Sequence, residues 1–200
     1  MIILDVEQRS PEWHNAKIGK PSASNFDMIV MSDGKPSKSR QKYLYQLAGE
    51  KLSNSKPDTY QSFAMKEGTI REAEARKTFE FIYGVEVKQV GVVYPDELKK
   101  YLCSPDGLME EAGYEVKCPL IHTHVGYLLS GKLPVEYVQQ VQGGMLVTGF
   151  NSWFFMSYYP GLPPLIIEVE RDEKFCNKLK SELSIFCDEL EAITEKLRRL

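Results

Sequence analysis

The sequence has no excess of basic residues, no tight cysteine pairs, no internal repeat and no unbroken apolar run long enough to cross a bilayer. Each absence removes a class of protein. Lys and Arg total 25 against 28 Asp and Glu, a formal charge of -3, so the totals lack the basic surplus that usually marks a nucleic-acid-binding domain. Cys103, Cys118, Cys176 and Cys187 lack the close spacing of a zinc ribbon or a small disulfide framework and read as reduced thiols of a cytosolic protein. The stretch from Tyr137 to Ile167 carries no charge, but Gln139, Gln140, Gln142, Gly143, Gly144, Asn151 and the Pro163-Pro164 pair interrupt it. A spanning helix needs about 20 predominantly apolar residues. The opening segment MIILDVEQRSPEW meets Asp5 and Glu7 before any usable apolar stretch, so no secretory signal is expected there.

What remains is the composition of a globular domain. With 42% hydrophobic residues in a chain of 200, a core of its own is expected for one domain over residues 1–200. At this length ~70% of the unfolded surface can be buried on folding. A disordered tail, a collagen-like repeat and a disulfide-dependent miniprotein are excluded.

The Ser/Lys/Gly/Pro-rich stretches Met31–Arg40 and Leu52–Asp58 read as surface loops around a helix from Ser39 to Leu52. Thr69 to Tyr83 is rich in helix formers and stops at Gly84, a residue common just past a helix end. Alternating β-branched residues predict a strand within Val85–Tyr94, and two more around Leu102–Ser104 and Tyr114–Cys118. A helix is expected over Glu136–Thr148, then strands over Ser152–Tyr159 and Leu165–Val169. Phe175, Leu179, Leu183, Phe186, Leu190, Ile193 and Leu197 recur at spacings of three and four, which predicts a final amphipathic helix. This order describes an α/β (α+β) domain with a mixed central sheet covered by helices.

The segment Cys103–Pro119, CSPDGLMEEAGYEVKCP, carries the chemistry. On a strand, Glu115 and Lys117 point to one face and Val116 to the other. A hairpin-like connection would return Asp106 beside Glu115. Two carboxylates converging beside a backbone carbonyl, that of Val116, make an oxygen site suited to Mg²⁺, with Mn²⁺ as a substitute. Such a site suits phosphodiester hydrolysis, in which Lys117 would orient the attacking water or offset the charge of the transition state. The plain alternative is a turn-capping Asp106 and an exposed Glu115–Lys117 pair.

SPDG followed by EVKCP resembles the PD-(D/E)xK nucleases, and within them the phage lambda exonuclease-like, or YqaJ-like, viral recombinase family. Further blocks appear in matching order: QRSPEWHNAKIGKPSAS, GTIREAEARKTFE, THVGYL, YVQQVQGGMLVTG and VERDEKF. The resemblance implies a restriction-endonuclease-like core and a Mg²⁺-dependent exonuclease that degrades one strand of linear double-stranded DNA 5'-to-3' to mononucleotides. It also implies a homotrimeric ring and a single-strand annealing protein as partner. Other readings left open are a related endonuclease or repair nuclease, and a catalytically idle DNA-binding module.

The resemblance adds Glu72 to the metal site. On a helix Glu72 shares a stripe with Ala75, Phe79 and Ile82, where a carboxylate needs a metal or a donor, unless it pairs with Arg76 at the edge of that face. It places Gln140 beside the catalytic lysine, with Gln142 as the second choice of register. A 5'-phosphate contact falls on Lys17, with Ser22 and Ser24 nearby, although lysine lacks the bidentate fork of the family's arginine. Trp13 reads as a core anchor or a base-stacking surface. Lys35, Lys38, Arg40 and Lys42 are candidates for duplex-backbone contacts. His122 and His124 form an HxH with no fitting partner, and the cysteine spacing does not suit an iron–sulfur cluster.

Overall fold

A computed structural model describes residues 1–56 and 63–200, with side chains from residue 70 onward in the second segment. In chain order the elements are β1 (Ile2–Leu4), α1 (Pro11–Lys17), a 3-10 turn (Ala23–Met28), α2 (Arg40–Ser53), α3 (Phe63–Tyr83), β2 (Val92–Tyr94), β3 (Gly107–Leu108), β4 (Ala112–Lys117), α4 (Ile121–Ser130), α5 (Val138–Thr148), β5 (Ser152–Ser157), β6 (Leu165–Glu170) and α6 (Glu173–Arg198). β3, β4, β5 and β6 form a mixed sheet in that order, and β1 pairs with β2 in a separate ribbon. Only β4 and β5 run parallel, which requires a crossover, and α4 and α5 supply it.

The period of two along the strands divides the core. Gly113, Glu115 and Lys117 lie in register with Trp153, Phe155 and Ser157. Trp153 and Phe155 pack with Val141 and Met145 of α5, with Leu179, Leu183 and Phe186 of α6, and with Tyr43 and Leu47 of α2. On the opposite face Tyr114, Val116 and Met156 pack with Ala75 and Phe79 of α3. The sheet is thus covered by helices on both faces, as the sequence order predicts.

Local chemistry explains most boundaries. Asp172 caps α6 by accepting the Phe175 N–H at 2.9 Å. Along α6 the predicted stripe is buried from Phe175 to Leu190, while Leu197 lies beyond the core and is exposed. The predicted Val85–Tyr94 strand shrinks to Val92–Tyr94. Its earlier half makes a single bridge, Lys88 to Leu108, and at Gly91 the chain runs so close to β1 that a Cβ would lie 2.3 Å from the Val6 carbonyl oxygen. Leu102–Ser104 is no strand of its own, since Cys103 exchanges both backbone bonds with Val93 and Leu102 bonds Pro21 and Ala23. Ile82 was expected on the inner stripe of α3 but is half exposed, and in the last turn of that helix it is Tyr83 that packs on the sheet, against Phe154. Met31–Arg40 is an ordered turn closed by the Val30–Pro36 bridge. The end of the Leu52–Asp58 loop lies outside the described residues. No helix among the described residues is long and apolar enough to cross a membrane.

Two contacts lock α5 to the sheet. The buried Trp153 ring lies between Gly113 and Gly144, where a Cβ would sit 2.2 Å and 2.5 Å from ring carbons. Gln142 donates to the Glu170 carbonyl at 2.9 Å and accepts the Asp172 N–H at 2.9 Å, which ties α5 to the start of α6. Gly144→Ala should therefore lower stability by about 1–3 kcal/mol through overpacking. Gly126→Ala, where no neighbour lies within 4 Å, should be neutral or stabilising. Removing the Gln142 amide, as in Gln142→Ala, strands two backbone groups at a cost of about 1–3 kcal/mol. Urea unfolding of the three variants measures all these effects, and equal midpoints for Gly144→Ala and Gly126→Ala would contradict the packing account.

Candidate active site

Antiparallel pairing sets Gly107 opposite Tyr114, so Asp106 folds back along β4. Its Oδ2 accepts the Val116 N–H at 2.8 Å. Glycine is required at the next position, because a Cβ on Gly107 would lie 2.1 Å from Val87 Cγ1. Glu115 is only 3% exposed, which rules out the plain alternative of an ion pair on an open strand. Its Oε1 accepts two short bonds, from Lys117 Nζ at 2.6 Å and from Gln140 Nε2 at 2.6 Å. The Asp106 and Glu115 carboxyls lie near enough for their charges to interact.

Burial raises Asp106 and Glu115 above the ordinary carboxylate range, and for Glu115 the neighbouring Asp106 raises it further. Burial by itself would lower Lys117, but the Glu115 and Asp106 carboxylates outweigh it and hold the amine above its usual value. Lys117 therefore enters any reaction as a cation. Its ammonium also lies 5.2 Å from the Tyr137 ring centroid.

Glu72 does not join this pair. Its Oε2 is held by Arg9 Nη2 at 2.8 Å, not by Arg76, and burial raises its pKa while Arg9 opposes the rise. No three His, Cys, Asp or Glu side chains converge as a metal-holding group among the described residues. A cleft of about 440 Å³ nevertheless places Glu72, Asp106, Val116 and Arg9 on one wall system.

Of the two glutamines, Gln140 reaches the site and Gln142 serves the α6 cap. Lys17 is buried with Nζ 3.7 Å from the Trp13 ring centroid. Burial first, and repulsion by Lys56 second, lower Lys17 to about 7, against the attraction of Glu115 and Asp106. Lys17 thus lies within electrostatic reach of Glu115 and Asp106. Ser22 is buried and its hydroxyl lies 3.0 Å from that of the exposed Ser24. Trp13 donates Nε1 to Ser104 Oγ at 2.8 Å, carries Lys17 over its ring and packs half-buried against Tyr94 and Leu102, which fits the anchor reading.

The basic cluster divides. Arg40 pairs with Glu189 at 2.6 Å and lies over Phe186, so it docks α2 on α6 and is not an open phosphate contact. Lys35 pairs with Asp33 at 2.8 Å, whereas Lys38 and Lys42 are exposed. His124 is fully buried between Ser157 Oγ and the Pro163 carbonyl, which makes it structural. Sequence reasoning missed Gln8 and Arg9. Gln8 Nε2 donates to the Val90 and Pro105 carbonyls, both at 2.8 Å, and so fixes the backbone just before Asp106. Both lie in the quoted QRSPEW block, but nothing in their spacing singles them out.

A family model described as the YqaJ-like viral recombinase domain matches residues 12–151. Among curated proteins none matches. The solved structure of an alkaline exonuclease, LHK-Exo, from Laribacter hongkongensis superposes with a TM-score of 0.86 at 32% identity, covering 95% of this chain and 97% of that one. A second structure of LHK-Exo, in complex with dAMP, is similar to the same degree. A phage related exonuclease from Haemophilus somnus 129PT shares the fold at 14% identity and a TM-score of 0.69, over 89% of this chain and 96% of that one. The block order seen in the sequence, the sheet that presents Asp106, Glu115 and Lys117, and this family match agree: the chain belongs to the YqaJ-like viral recombinase domain family, which is lambda exonuclease-like.

Proposed function

We propose that the protein is a divalent-metal-dependent exonuclease of the PD-(D/E)xK type. It degrades one strand of linear double-stranded DNA 5'-to-3', releases mononucleotides and leaves a 3' single strand for annealing. The observation that carries this reading is the buried Glu115 beside the half-buried, cleft-lining Asp106, with Lys117 and Gln140 both bonded to Glu115 Oε1. The binding of dAMP by LHK-Exo supports a nucleoside monophosphate as the released product.

The site suits a hard cation. Two neighbouring carboxyls, one of them buried, favour a proton or a positive ion beside them, and the prospective ligand atoms are all oxygens. Asp106, Glu115 and the Val116 carbonyl would hold Mg²⁺, or Mn²⁺ in its place, with Glu72 available from the cleft wall. When bound, the ion supplies charge neutralisation at the phosphoryl oxygens and acidifies a water. Lys117, positive and fixed, orients that water and offsets the charge that develops on phosphorus. Gln140 holds the Glu115 carboxylate in place without adding charge. As the water oxygen bonds to phosphorus, the bond to the 3' oxygen breaks and that oxygen takes a proton.

Lys38 and Lys42 remain available to the duplex backbone. Lys17 and Ser24 form the proposed 5'-phosphate contact, which requires Nζ to leave the Trp13 ring. A homotrimeric ring would retain the duplex between cleavages, and the annealing protein would take the exposed 3' strand.

Digestion of 5'-end-labelled linear duplex should release labelled mononucleotide first, faster from phosphorylated than from hydroxyl ends, with Lys17→Ala narrowing the gap. Cutting of a covalently closed circle would sink the exonuclease reading in favour of an endonuclease. Lys117→Ala should slow digestion by about 10²- to 10³-fold. Undiminished activity in that variant would refute the assigned mechanism.

The raised carboxyls also set a pH dependence. The folded state binds their proton more tightly than the unfolded chain, so the metal-free protein loses stability as pH rises above the ordinary carboxylate range. A divalent cation replaces that proton. The rise in Tm on adding Mg²⁺ should accordingly be small near about pH 5 and larger near about pH 8. A rise of equal size at both would contradict proton-coupled binding.

A further inference from the structure

Arg9 has a backbone φ of 69°, in the left-handed region that costs a non-glycine residue about 1 kcal/mol. Both flanks hold it there. Gln8 is pinned to the Val90 and Pro105 carbonyls, and Ser10 caps α1 through the Trp13 N–H at 3.2 Å. The clamped backbone aims the guanidinium into the cleft that Asp106 and Val116 also line, where Nη2 meets Glu72 Oε2 at 2.8 Å. A hydrogen-bonded ion pair in which the two side chains are 47% and 31% exposed is worth ~0–1 kcal/mol. That is enough to orient a carboxylate and too little to hold it against a divalent ion.

We propose that Arg9 is a built-in competitor for the divalent cation: its guanidinium occupies Glu72 and must be displaced before that carboxylate can join Asp106 and Glu115 around a metal. The inference rests on the metal-dependent reading above and adds a regulation to the same site. Arg9 sets the metal concentration at which the site closes, by neutralising one prospective ligand and by placing a positive charge in the cleft the ion enters.

The test is a calorimetric titration of the metal-free, full-length protein with Mn²⁺ in the absence of DNA, so that binding is read without turnover. Arg9→Gly and Arg9→Asn both accept the left-handed backbone and both remove the charge. Each should tighten Mn²⁺ binding by about three- to tenfold, while Arg9→Lys, which keeps the charge, should stay within about twofold of wild type. Adding Glu72→Gln to Arg9→Gly should abolish the gain. Unchanged or weaker binding in both neutral variants, with Asp106→Ala still losing the metal, overturns the competitor role and leaves the metal site intact. A wild-type protein that binds no Mn²⁺, or binds it equally in Asp106→Ala, overturns the metal site and this role together.

Discussion

A buried carboxyl, Glu115, lies beside the half-buried carboxyl of Asp106, and the surrounding structure is arranged around that cost. Two like charges ~4 Å apart repel by about 4 kcal/mol at an effective dielectric of about 20, more than one hydrogen bond to a charged group returns. Three donors share the burden here: the Val116 N–H on Asp106, and the Lys117 ammonium and Gln140 amide on Glu115. Even with them both acids stay raised, so the site retains an affinity for a proton or a cation. A carboxyl pair left wanting positive charge is a poor way to stabilise a fold, and such pairs cluster at functional sites.

The donors come from different parts of the chain, and packing brings them together. Gln140 reaches Glu115 because α5 lies close on the sheet, and it lies close because the Trp153 ring fits between Gly113 and Gly144. Asp106 reaches Val116 because Gly107 leaves room for Val87. The N-terminal segment approaches from outside the sheet, with Gln8 bracing the backbone ahead of Asp106 and Arg9 meeting Glu72. The cluster around Glu115 is thereby supported from the hairpin, the crossover helix and the first loop.

The parts legible in the sequence were those governed by local periodicity. Glu115 and Lys117 share a face because strands alternate. The return of Asp106 along β4 was expected too, but its hairpin is built on Gly107–Leu108, inside the segment read as the turn, and not on Leu102–Ser104. The α6 stripe follows from the helical period and its Asp172 cap. Gln140 and Gln142 could not be separated by spacing, since both sit in one helix and only packing decides which faces Glu115 and which faces Asp172. The positive residues were harder still. Lys17, Lys35 and Arg40 look alike as charges, yet one covers an indole ring, one pairs within its own turn and one docks a helix on α6.

The sequence by itself determined the fold class, the strand that carries Glu115 and Lys117, and the family to which the chain belongs, because each depends on residues near one another along the chain. Its net charge of -3 is an average that hides a concentrated acidic site. Only the tertiary structure decided which distant side chains meet: Gln140 on Glu115, Arg9 on Glu72, Gln8 on the backbone before Asp106. Contacts between residues far apart in sequence follow from how helices and sheet pack, and packing depends on shape at every neighbour. Composition and period carry no record of it.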